Sequence, residues 1–153
     1  MWQKLIQTHH DPVLAFQRWV LALVFFPHGA QKVFAWFGGY GFKSTLDYFN
    51  QKLQIPTPLA TLAVLAESVG VLLLFTGFLS RLAAFGIFVN MVVALFLVHF
   101  SNGFFMNWSG QQAGEGFEYH LLAIGLAVVI MIRGGGAVSL DLSIQKYLPE
   151  LKS

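Results

Sequence analysis

The chain contains no cysteine, and that absence removes several kinds of chemistry at once. Disulfides, thiolate nucleophiles, iron–sulfur ligation and covalent c-type haem attachment are all excluded. Charge is nearly as scarce: Asp, Glu, Lys and Arg make up 10% of the 153 residues, against about 25% in an ordinary soluble domain. The net charge is only +2, and the basic residues stand singly. No basic patch exists for nucleic acid to neutralise. A small-residue cleavage site is also lacking after the first apolar run, so that run is expected to act as an uncleaved signal.

Apolar length is what the chain has in abundance. Hydrophobic residues make up 56% and the mean hydropathy is +0.65, which points to an all-α membrane protein. Four spans are expected, at residues 13–34, 59–79, 82–100 and 117–132, forming one four-transmembrane-helix bundle within a single domain, 1–153. The first twelve residues, with Trp2, Leu5 and Ile6 beside Lys4, suit a short interfacial helix. His9 and His10 within it read as solvated and not as a metal site. Pro27 is expected to bend the first span. Residues 35–58 are too polar and Gly-rich to cross. Ser44-Thr45-Leu46-Asp47 can start a short helix there, whose Leu46, Phe49 and Leu53 share a face. Residues 139–151 are expected to follow the last span along the surface.

An even number of spans puts both termini on one side. Lys4, Arg18, Arg81, Arg133, Lys146 and Lys152 gather there, while the opposite side holds Lys32, Lys43 and Lys52. That excess favours cytoplasmic termini. Arg18 is expected to snorkel to the nearer interface, and Asn90 to join helices by a hydrogen bond.

This topology also sorts the ionisable residues by depth. His28 and Lys32 lie one helical turn apart at the outer end of the first span. Glu67 lies near the middle of the second, His99 at the outer end of the third, and Glu118 and His120 at the outer end of the fourth. All four helices therefore bring an ionisable group to the outer half. Singly, most have an ordinary explanation: Lys32 snorkelling, the histidines at headgroup level, Glu118 at a helix N-terminus. Glu67 has no such surface remedy and must be neutral or paired, with Lys32 or protonated His28 as partner. Glu118 and His120 are about 200° apart on an ideal helix. Glu118 is expected to face inward, and the direction of His120 stays open.

Three functions fit such a cluster. The first is a membrane subunit of an oxidoreductase system that binds a quinone between the helices. In it His28, Glu67 and Glu118 handle protons, Lys32 favours a reduced or acidic head, and Phe25, Phe104 and Trp108 wall the slot, with His99 and His120 nearby. The second is a metal held by imidazole and carboxylate, although no fixed metal signature is present. The third is a scaffold or small-solute passage whose polar cluster holds helices together. The lipid bilayer is the expected partner, with a soluble or membrane oxidoreductase subunit or a second copy also open.

Several stretches resemble the DoxX family: Phe26-Pro27-His28-Gly29-Ala30-Gln31-Lys32, Leu65-Ala66-Glu67-Ser68-Val69-Gly70 followed by Gly77 and Arg81, Gly114-Glu115-Gly116-Phe117-Glu118-Tyr119-His120, and Gly134-Gly135-Gly136-Ala137-Val138-Ser139-Leu140-Asp141. The likeness runs from Arg18 to Asp141. It implies a small four-helix protein of the bacterial inner membrane. Members of the family are often labelled oxidoreductases, and a related DoxD-type subunit belongs to a thiosulfate:quinone oxidoreductase.

Overall fold

The computed structural model describes residues 3–147, and among them every regular element is a helix. In chain order these are α1 (Gln3–Ile6), α2 (Pro12–Phe34), α3 (Gly41–Gln51), α4 (Thr57–Thr76), α5 (Ser80–Ala94), α6 (Glu118–Arg133) and α7 (Leu140–Lys146). Beyond Ala94 the rod of α5 runs on through one wide turn, Leu95–His99, and one tight turn, Phe100–Asn102. Three helical rods are long and apolar enough to cross a membrane: Pro12–Phe34, Thr57–Thr76 and Ser80–Asn102. The fourth, α6, has 16 residues, about 24 Å at ~1.5 Å per residue.

Local chemistry explains where α2 begins. Asp11 is extended, and its carboxylate accepts from the amides of Val13 and Leu14, while Pro12 occupies the first turn. The helix then continues through Pro27 to Phe34; the proline does not end it. α2 packs on α4, α4 on α5, α5 on α6, and α6 returns to α2. At the centre, Leu21 and Phe25 of α2 and Leu74 of α4 meet Ala84 and Ile87 of α5 and Ala127 and Ile130 of α6. Large side chains thus sit opposite small ones, as a close-packed interior requires.

The end of the bundle that holds the start of α2 and the end of α6 differs from expectation. Arg18 does not snorkel: it is 0% exposed. Its guanidinium donates to five carbonyls, those of Leu74 and Phe75 at the end of α4 and of Gly135, Ala137 and Val138 in the loop after α6. Five N–H donors thus meet five acceptors, which satisfies a charge that burial would otherwise make costly. The chain after Gly136 follows the surface as expected, with Val138, Leu140 and Tyr147 exposed, but it is anchored inward at two points. Ser139 and Asp141 are buried, and Asp141 accepts from the amides of Leu79 (2.7 Å) and Ser80 (2.9 Å), fastening the α4–α5 turn. Burial pushes the Asp141 carboxyl above its ordinary range, while those amides and the charge of Arg18 pull it back. Arg81 donates to the carbonyls of Gln7 and Met131, tying α1 and α6 to the same end. The expected tail beyond Tyr147 lies outside the described residues, as do Met1 and Trp2.

Candidate functional site

At the opposite end lies a cavity of about 320 Å³. Its polar lining comes from all four long helices: His28 and Lys32 of α2, Glu67 of α4, Asn90 and His99 of the α5 rod, and Tyr119 and His120 of α6. Its apolar lining includes Phe25, Met91 and Leu97, and Tyr48 and Phe49 of α3 reach it as well.

Glu67 is the anchor. It stands ten residues into α4, counting from Thr57, roughly 15 Å along the axis, and is 6% exposed. Lys32 Nζ donates to its Oε2 at 2.5 Å, in the one ion pair found among the described residues. Asn90 Nδ2 donates to its Oε1 at 3.2 Å and to the Ala63 carbonyl at 2.7 Å. Both carboxylate oxygens are therefore occupied, and three helices meet at one side chain. Glycine makes the approach possible. A Cβ on Gly29 would overlap the backbone carbonyl of Glu67, so any larger residue would push α2 off α4. Of the two cations the sequence allowed as partner, Lys32 is the one bonded. His28 packs between the rings of Phe25 and Tyr119, at 5.9 and 6.2 Å between centroids.

The fourth helix presents different residues from those expected to face inward. His120 is buried against the cavity, with its ring 4.1 Å from that of His99. Glu118 does not line the cavity. Its carboxylate accepts the Met106 amide and its own amide donates to the Phe104 carbonyl, so segment 103–106 is bonded across the start of α6. Phe104 packs on Phe105 and Phe117, and Trp108 is 88% exposed; neither walls the cavity. Phe25 does.

The sequence does not single out Tyr119, and it marks Asn90 only as an interhelical hydrogen-bonding residue. Tyr119 lies one position from each of two conspicuous ionisable residues, and an aromatic hydroxyl in a span carries little signal of its own. His99 reaches the cavity because the helix is wide there: the Phe100 amide bonds back to Leu95, five residues earlier. Such turns rotate less per residue, and they recur at functional sites. His99 Nδ1 is then held by the Glu115 carbonyl at 2.8 Å.

Two cavity-lining residues, Tyr119 and His120, each carry a buried polar atom, the Tyr119 hydroxyl and His120 Nδ1, with no hydrogen-bond partner among the described residues. Leaving such atoms unsatisfied costs about 1–3 kcal/mol each, so they mark where a ligand would gain most. No group of three or more His, Cys, Asp or Glu side chains is placed to hold a metal ion among the described residues.

A bundle of apolar helices around a buried ion pair and a lined cavity defines an integral, multi-pass membrane protein. The DoxX family model matches residues 13–100, from the first turn of α2 to two residues short of the end of the α5 rod, and the chain belongs to the DoxX family. The stretches 114–120 and 134–141 that also bear the resemblance lie beyond the matched residues. No curated protein and no solved structure matches the chain.

Proposed function

We propose that this protein is a membrane subunit of an oxidoreductase system and binds the head of a quinone in the cavity beside Glu67. The observation that carries the reading is that two residues of a largely apolar cavity with a few polar groups, Tyr119 and His120, each carry an unpartnered buried polar atom. Ligand sites of this kind are mostly apolar with a few placed polar groups, and range over about 300–1,000 Å³. A quinone supplies two carbonyl oxygens, which accept hydrogen bonds and are protonated when the ring takes up electrons. Tyr119, His120 and His28 are the lining residues that serve as donors in this reading. Phe25 and Tyr119 offer flat faces, and the Lys32–Glu67 pair keeps a cation close to the head without leaving a net charge in the bilayer. The electron donor in this reading is a partner subunit.

The same proposal includes four crossings, with both ends on the cytoplasmic side of the bacterial inner membrane. It is supported by the antiparallel packing of α6 along α5 and by the basic residues at the Arg18 end. The absence of native cysteine makes a direct test simple. Single Ser109→Cys and Tyr147→Cys variants in intact cells are expected to react differently with a membrane-impermeant maleimide, the first labelled and the second protected. Equal labelling of both would remove the shared outer half on which the site depends.

Function is tested by what the purified protein retains in mild detergent. Lipophilic quinone is expected in the extract, and added quinone is expected to raise the melting midpoint of the parent more than that of Tyr119→Phe or His120→Phe. A cation competes with a metal ion but assists an electron-rich ring. Lys32→Met therefore separates the alternatives. Stoichiometric metal with no quinone, undiminished in Lys32→Met, would replace this reading with the metal site. Neither ligand in the parent would leave the helix-holding scaffold.

A further inference from the structure

The route into the cavity can be read from how α4 and α5 part. The two helices leave the Phe78–Leu79 turn as a tight hairpin and stay close along small residues. A Cβ on Gly86 would stand 3.0 Å from that of Ala66. One turn further on, the Asn90 amide bonds to Ala63 and Glu67. Past Asn90, the α5 residues toward the cavity end are Val93, Ala94 and Leu97, and all three line the cavity. Yet Val93 is 41% and Leu97 55% exposed. Cavity-lining residues this exposed frame an opening and not a closed wall. Ala63 and Ala94, which also line the cavity, leave it wide because neither carries more than a methyl group.

At the outer end Tyr48 and Phe49 of α3 and Met106 of the loop before α6 also line the cavity, with Glu115 held there by the Asn107 amide. Leu53 and Ile55, in the connection from α3 to α4, complete the rim of the side opening with two more apolar side chains. An opening rimmed wholly by aliphatic groups, in the flank of two membrane-spanning rods, faces acyl chains and not water.

We propose that the cavity is loaded sideways from the bilayer, through an opening between α4 and α5 framed by Ala63, Val93, Ala94 and Leu97. Its ligand is therefore a lipid-dissolved molecule with a polar ring head and an apolar chain that stays in the opening. This inference rests on the ring-binding reading above and adds how the ligand enters and what it must carry. Because lipid tails are as apolar as the rim, the chain adds little affinity beyond partitioning into the bilayer; it dictates the path and orientation of the molecule.

The test uses the whole protein in lipid nanodiscs and a benzoquinone with a ten-carbon chain ending in a photoreactive diazirine. After illumination the labelled residues are mapped by mass spectrometry, with and without excess tail-less benzoquinone as competitor. The expected result is labelling at Ala63, Val93, Ala94 or Leu97 that the competitor removes, with residues 107–114 unlabelled. Competed labelling in 107–114 would overturn the side opening and leave ring binding standing. No competed labelling anywhere would overturn ring binding, and the side opening with it.

Discussion

Replacing Arg18 by methionine is expected to destabilise the bundle by about 3–5 kcal/mol, the scale on which a buried charge network loses one of its members. The reason is the arithmetic of donors. Five carbonyls, two ending α4 and three in the loop after α6, accept from this one guanidinium. A methionine fills much of the space and satisfies none of them. Arg18→Lys is expected to recover little, because an ammonium has three donors radiating from one atom and cannot span five acceptors in a plane. The measurement is the midpoint of thermal unfolding in detergent, read by loss of the monodisperse peak on size exclusion. A parental midpoint in Arg18→Met would show that these carbonyls are satisfied without the side chain.

The second large effect belongs to Lys32 and Glu67, and its asymmetry is the informative part. The side chain of Lys32 is 22% exposed and that of Glu67 8%. If Glu67 is changed to Gln, the lysine can extend toward the interface and keep its charge in water. If Lys32 is changed to Met, the carboxylate keeps only Asn90, in a cavity that is largely apolar. Lys32→Met is therefore expected to lower stability by several kcal/mol, more than Glu67→Gln. The double variant is expected to be more stable than Lys32→Met alone, since the stranded charge is then gone. Glu67→Gln should keep the fold and lose ligand retention. Chemical or thermal unfolding of the four proteins in one detergent gives the coupling directly. Additive losses, with no recovery in the double variant, would mean that the 2.5 Å contact contributes nothing.

Much of this architecture is written plainly in the chain. Long apolar runs are visible whatever surrounds them, and the observed α2, Pro12–Phe34, falls within one residue of its expected bounds. The depth of Glu67 also follows from its place in an apolar run, which leaves the carboxyl neutral or paired; that Lys32 is the partner shows only in the fold. What sequence could not show depends on contacts between distant segments. Arg18 looks like any boundary arginine until the loop 117 residues later is folded against it. Glu118 turns away from its expected inward direction, and His120, whose direction was open, lines the cavity, as segment 103–106 bonds across the first turn of α6. His99 needs a wide turn that no residue in Leu95–His99 announces. Trp108 invited a functional reading by its aromaticity and sits instead in the open.

The placement of the arginine has a mechanical consequence. At one end of the bundle α2, α4 and the segment after α6 share a single cation, and the α4–α5 turn is tied down by Asp141. At the other end α2, α4 and α5 are joined through Lys32, Glu67 and Asn90, side chains that also line the cavity. The molecule is built like a clothes-peg, with its spring at Arg18 and its jaws at Glu67. Motion that widens the jaws can leave the spring untouched, so the site can breathe while the fold stays shut.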